Sequence, residues 1–255
     1  MSDRGSSAPA APVAVVTGAA RGIGRAIAER LAADGWRLAL VDRDADALEA
    51  VVAALAEGSS DAPASRAVPF VADVADEAAV ASLAAAVRAR FGGVRALVNN
   101  AGIGGTGTPI EALDLAAWNE MLRVDLTAPF LACRAFATDL RADGAGRVVN
   151  LGSISAHIGV AGSTAYAAAK GGVVAFSKSL AREWAPHRVT VNVVAPGVID
   201  TDMARRRGLD HQRHLIPWHR IGRPDDVAGA VAYLVSAEAE FMTGQVLHLN
   251  GGAAM

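Results

Sequence analysis

Seven short runs, at 13–17, 38–41, 67–71, 96–99, 147–151, 190–194 and 245–249, punctuate this chain and are near-continuously apolar. A strand that alternates polar and apolar residues keeps one face in water, whereas a continuously apolar strand must be covered on both faces. Between the runs lie Ala-rich segments of helical period. Ile23, Ile27 and Leu31 share one face ahead of Gly35, and Val80, Leu83, Val87 and Phe91 do so ahead of Gly92. Asp225, Val227, Val231 and Leu234 mark a late helix that Pro224 opens near its first turn. Strand and helix in alternation, joined by right-handed crossovers, predict an α/β fold with a doubly wound parallel sheet. Nothing resembling an interdomain linker appears, so residues 13–255 read as one domain.

Composition narrows the classes of function. Apolar residues make up 52% of the 255 and aromatics only 5%, so the core must be built from Ala, Val, Leu and Ile. A net charge of −2 argues against nucleic acid or an anionic membrane as the main partner. The single cysteine, Cys133, excludes an intrachain disulfide and reads as a small buried apolar residue in a reducing compartment. No apolar run approaches a membrane span. Residues 1–12 lack the apolar stretch of a signal peptide and read as a disordered lead, which places the protein in the cytoplasm.

Candidate chemistry gathers where strands end. Thr17-Gly18-Ala19-Ala20-Arg21-Gly22-Ile23-Gly24 follows the first strand and opens a helix. Glycines there allow a tight turn and bring backbone N–H groups to a diphosphate at the positive helix start. Asp42 ends the second strand, at the distance expected of a carboxylate that binds a ribose diol, or else it is a turn residue while Asp44 or Asp46 caps the next helix. A 2′-phosphate beside such a carboxylate costs about 1–4 kcal/mol per charge pair. NAD is therefore expected over NADP, although Arg21 and Arg43 are both able to pair with a phosphate. Asp73, followed by Val74, ends the third strand, either as a partner for an adenine amino group or as a helix N-cap. Asn99, Asn100, Ala101 and Gly102 end the fourth, where adjacent amides can bridge strand ends or line a cofactor cleft. Pro196-Gly197 ends the sixth. Ligands of open parallel sheets bind outside these carboxyl ends.

The fifth strand is followed by Ser153, and Tyr166 and Lys170 stand four apart on one predicted helix face. A lysine ammonium within a few ångströms of a phenol favours the phenolate, which suits a group that exchanges a proton with an alcohol oxygen. No H-E-x-x-H or cysteine spacing supports a metal site.

Taken together, TGAARGIG, Asp73-Val74, NNAG, the Ser153/Tyr166/Lys170 set, Pro196-Gly197 with Ile199 and Thr201, and Leu249-Asn250-Gly251-Gly252 resemble the short-chain dehydrogenase/reductase family from residue 13 to 252. The resemblance implies a Rossmann-type seven-stranded sheet, a nicotinamide cofactor and a homotetramer. It further implies that Tyr166 is the acid/base, that Lys170 holds the nicotinamide ribose, that Ser153 bonds the reacting oxygen, and that Ile199 and Thr201 meet the carboxamide. The chain departs from the family pattern where an asparagine is usual: Arg123-Val124-Asp125-Leu126 carries Asp125 instead. Its carboxylate is expected either to bind local backbone or to place a negative charge beside Lys170.

Residues 202–223 fall where the family places its mobile substrate lid. Arg205, Arg206, Arg207, Arg213, Arg220 and Arg223 stand there against Asp210, with His211, His214 and Trp218 as further lining residues. A basic lid admits an anionic substrate such as a carboxylate or coenzyme A thioester; a solvated lid face is the alternative. The leading expectation is NAD-dependent interconversion of a secondary alcohol or hydroxyacyl compound with its ketone. An NADPH-dependent 3-oxoacyl carrier-protein reductase is the second, since the closing residues are similar to that group of enzymes. A catalytically silent NAD(H)-sensing protein is the third, and the intact Ser/Tyr/Lys set speaks against it.

Overall fold

The computed structural model describes residues 11–57, 66–105, 107–205 and 213–255. Seven parallel strands form one sheet in the order β3-β2-β1-β4-β5-β6-β7: β1 Val13–Thr17, β2 Arg37–Asp42, β3 Ala67–Val71, β4 Ala96–Asn99, β5 Arg147–Leu151, β6 Thr190–Pro196 and β7 Val246–Leu249. All seven predicted runs are strands. Boundaries moved where neighbours offered partners: β2 and β6 are longer than their aliphatic runs, since Asp42 pairs with Val71 and Pro196 with Leu249. The chain winds outward from β1 to β3, returns to β4 beside β1, and winds the other way to β7. The crevice of such a sheet opens between β1 and β4, where the order reverses.

Alternate residues of each strand feed two separate cores. Ala14, Val16, Leu38, Leu40, Val98 and Val149 face α1 (Gly22–Ala33), α2 (Ala45–Glu57) and α10 (Pro224–Val235), meeting Ile27, Leu31, Leu48, Val227 and Val231. On the other face, Val13, Val15, Val41, Leu97 and Val148 meet Val80, Leu83 and Val87 of α3 (Glu77–Phe91), Leu131 of α5 (Ala128–Ala135), and Leu180 and Trp184 of a long helix at Thr164–Trp184. Each large side chain so buried is worth about 1.5–3 kcal/mol. That covering on both faces is why the strands read as continuously apolar.

The helix punctuation follows local chemistry. Asp76 accepts from the Ala79 N–H at 2.7 Å to cap α3, and Gly92 ends it in the left-handed region at φ 86°. Pro224 is the first residue of α10, as predicted. Four short elements complete the frame around the site: α4 (Leu115–Leu122), α6 (Ala137–Leu140), α7 (Ser155–Ile158) and α9 (Asp202–Arg205), with the Thr164–Trp184 helix as α8. Between α4 and α5 the helix loosens into a π-turn at Arg123–Thr127. The expected lead at 1–12 ends earlier than supposed, because the Pro12 carbonyl already accepts from Arg37 at 2.9 Å; residues 1–10 lie outside the described set.

Candidate active site

The loops that leave the carboxyl ends of the strands converge through small residues. Gly18 sits at φ 66°, and a β-carbon there would lie 2.8 Å from both the Ala101 Cα and the Asn100 Nδ2. Only glycine lets the β1 and β4 loops touch in this way. Asn100 donates to the carbonyls of Thr17 and Gly18 at 2.9 and 3.1 Å, while Thr17 Oγ1 accepts from the N–H groups of Asn100 and Ala101. Asn99, buried, donates to Asn150 at 2.7 Å, and Asn150 donates to Ser177 of α8 at 2.8 Å. The two amides therefore bridge strand ends, one of the roles expected of them. Asn150 and Ser177 were not singled out from sequence. The signal that finds them is two polar side chains in otherwise apolar contexts, each of which must find a partner when buried.

The first turn of α1 has neither a side-chain cap nor an acidic residue, which leaves its N–H groups free for an anion. Thr201 approaches from the far side of the crevice: a β-carbon on Gly22 would be 3.3 Å from its methyl. Asp42 accepts from the Ala20 N–H through one oxygen and from the Asp44 N–H through the other, both at 3.1 Å. Asp44, not Asp42, caps α2 by accepting from Ala47. Arg21 is ion-paired with Asp44, and Arg43 is exposed. Asp73 corrects one expectation, for the N-cap of α3 is Asp76. Asp73 instead accepts from the Ala75 N–H at 2.9 Å and pairs with Arg123 at 3.1 Å; the Ala75 bond, with help from Arg123, holds its carboxyl below the usual range against the cost of burial. Val74, next to it, is buried.

The remaining residues frame the reacting end. Ser153 lies two residues past β5, and its Oγ accepts from the Ser155 N–H at 3.1 Å at the start of α7. Lys170, on α8, is 5% exposed, and its Nζ donates to the Leu151 carbonyl at 3.0 Å. The same Nζ stands 5.7 Å from the centre of the Tyr166 ring. Asp125 is wholly buried in the π-turn, with Oδ1 accepting from the Ile103 N–H at 2.7 Å and Oδ2 lying 3.1 Å from Lys170 Nζ. Both readings of Asp125 thus hold at once: it binds local backbone and it faces Lys170. Burial works against the Lys170 charge, but Asp125 and Tyr166 outweigh it, so the lysine pKa is raised. Pro196 and Gly197 close the crevice, with Gly197 N–H donating to Leu249 at 2.9 Å, and Ile199 is buried below Gly222.

Two arginines of the 202–223 window are paired with acids. Arg205 pairs with Asp200 at 2.7 Å, and Arg220 pairs with Asp226 at 2.6 Å, both acids lying just outside that window. His214 and Trp218 are exposed; Arg206, Arg207, Asp210 and His211 lie outside the described residues. Among the described residues no cluster of three or more metal-ligating side chains occurs, and no helix is long and apolar enough to cross a membrane.

Three comparisons with known proteins converge. A family model described as Enoyl-(Acyl carrier protein) reductase matches residues 18–254. The chain belongs to the short-chain dehydrogenase/reductase family. Among relatives in this family, the 3-oxoacyl-[acyl-carrier-protein] reductase FabG of Escherichia coli (strain K12) is 40% identical over 249 residues, covering 95% of this chain and 97% of that one. D-threitol dehydrogenase of Mycolicibacterium smegmatis is also 40% identical, over 94% of this chain and 92% of its own length. A crystal structure of levodione reductase superposes with a TM-score of 0.90 at 34% identity, covering 94% of this chain and 96% of that one. The fold is accordingly the Rossmann-like one expected, and the chain is an oxidoreductase of a family that works with a nicotinamide cofactor.

Proposed function

We propose that this enzyme interconverts a hydroxyl and a carbonyl, on a secondary alcohol or a hydroxyacyl compound, with NAD(H) as the hydride carrier and Tyr166 as the acid/base. The observation that carries this reading is the buried Lys170 ammonium, tied to the end of β5 and set beside the Tyr166 ring. Tyr166 exchanges a proton with the substrate oxygen, Lys170 offers a donor to the nicotinamide ribose, and Ser153 hydrogen-bonds the same oxygen.

The residues present fit a dinucleotide. The uncapped start of α1, with Gly18, Arg21, Gly22, Ile23 and Gly24, suits a diphosphate; Asp73 and Val74 suit the adenine. Asn100, Ala101, Gly102, Pro196, Gly197, Ile199 and Thr201 would line the remainder. When bound, the nicotinamide accepts hydride from the carbinol carbon or returns it to the carbonyl. Asp42 supports NAD over NADP, because its carboxylate is anchored to the glycine turn and Arg21 is engaged by Asp44, which leaves only Arg43 to answer a 2′-phosphate.

A second reading is an NADPH-dependent 3-oxoacyl carrier-protein reductase, favoured by the FabG relatives. The apolar cluster of Met121, Ala165 and Ala169, against which Ile103, Leu113, Trp118 and Tyr166 all pack, supports an acyl substrate in either case, for it offers a polyol few partners. Residues 202–223 form the substrate lid on this reading, and a cytoplasmic homotetramer is the working assembly. Absorbance at 340 nm, followed with NADH and NADPH against 3-oxoacyl thioesters, simple ketones and polyol-derived ketones, tests all of this. We expect turnover with NADH and an acyl or simple ketone substrate, abolished by Tyr166→Phe. Full turnover in Tyr166→Phe overturns the mechanism, and a tenfold preference for NADPH overturns the reading of Asp42.

A further inference from the structure

The chain contains 24 basic residues, of which only Lys170 and Lys178 are lysines. One of these two is buried against a carboxylate that is itself completely buried. Asp125 belongs to the π-turn, and its approach depends on Gly172, where a β-carbon would lie 2.7 Å from Leu126 Cδ2. Gly102 matters likewise, since a β-carbon there would meet Asp125 Oδ2 at 3.0 Å. Oδ2 lies 3.1 Å from Lys170 Nζ, and the same ammonium also donates to the Leu151 carbonyl at 3.0 Å. An asparagine at this position would keep the acceptor and carry no charge.

We infer that Asp125 is a positioning residue that neutralises the Lys170 ammonium in place and couples it to the β4 loop through the Ile103 N–H. The proposal rests on the acid/base reading of Tyr166 given above. With Asp125 ionised, the pair presents no net charge to the Tyr166 hydroxyl, whereas an amide would leave one positive charge. The groups that act on Lys170 are Asp125 from the π-turn and Tyr166 from its own helix; β5 offers a carbonyl, and α4, α7 and β6 add no charged group to that set.

Two measurements test this. In the wild-type protein labelled with [13Cε]lysine, two signals report the two lysines. Lys170 is expected to titrate distinctly above the ordinary lysine value of about 10.4. Lys170 titrating at or below that value overturns the ion pair, and this needs no variant to fold. In the second, kcat/KM for alcohol oxidation is followed against pH. Asp125→Asn keeps an acceptor for Ile103 but removes the charge, and should move the acid limb about one unit or more to lower pH. Asp125→Ala should move it similarly and also raise KM, through the freed loop. An unmoved limb in both variants overturns the proposal. Turnover surviving in Tyr166→Phe instead overturns the underlying reading, so the two failures are distinct.

Discussion

The two ends of β5 each bury a cation to the same extent and treat it in opposite ways. At the carboxyl end, Lys170 is 5% exposed and lies against the Asp125 carboxylate. At the amino end, Arg147 is 5% exposed and touches no carboxylate; its guanidinium donates to the Gly146 carbonyl at 3.0 Å and to the Ser236 carbonyl at 3.4 Å. Ser236 closes α10, so the negative end of that helix stands in for a counter-ion. Burial, then the nearby Arg95, lower the Arg147 pKa, with Glu240 and Asp143 opposing from a distance. A delocalised, weakly hydrated guanidinium tolerates carbonyls alone, whereas a compact ammonium demands an anion. Arginine thus serves as a bolt between β5 and α10, whereas lysine is held by an ion pair.

Substitutions at the two ends should separate these roles, and the largest effect is expected in catalysis. Lys170→Met should lower kcat by about 10²- to 10⁴-fold, the range of a lost acid/base device, while Arg147→Met leaves it near the wild-type value. Comparable losses in both would erase the distinction.

Stability comes next. Lys170→Met strands a buried carboxylate and should cost about 3–5 kcal/mol in urea unfolding, much of it recovered in the Lys170→Met/Asp125→Asn double variant. Arg147→Met leaves only carbonyls unpaired and should cost about 1–3 kcal/mol. A double variant no more stable than Lys170→Met alone would deny the pairing.

The smallest effect lies in pH. Because the Lys170 pKa is raised in the folded state, its contribution is fully present below the unfolded value of 10.5 and is lost as pH rises through the folded one. Urea midpoints of the wild type and the double variant should therefore run parallel from neutral pH to that point and converge only above it.

Most of the frame was legible because its causes are local. Continuous apolar runs announced strands covered twice, Gly92 and Pro224 marked helix ends, and the glycine turn after β1 lay where a doubly wound sheet needs it. Asp73 was misjudged as an N-cap candidate because an aspartate three residues later competes for the same helix start, and only packing shows that Arg123 claims Asp73. The 202–223 stretch looked more basic than it is for a similar reason. Arg205 and Arg220 are matched by Asp200 and Asp226, which a window drawn along the chain leaves out.

From the sequence alone came the parallel sheet, the strand-end placement of Ser153 and the glycine turn, the shared helix face of Tyr166 and Lys170, and a doubt about Asp125. These follow from side-chain periodicity and turn stereochemistry, which act over a few residues. Tertiary structure decided that Asp125 meets both Ile103 and Lys170, that Asp42 anchors the glycine turn while Asp44 caps α2, and that Arg147 is buried without an acid. Those outcomes depend on which distant groups a close-packed interior brings within about 3 Å, the range in which a buried charge either finds its partner or does not.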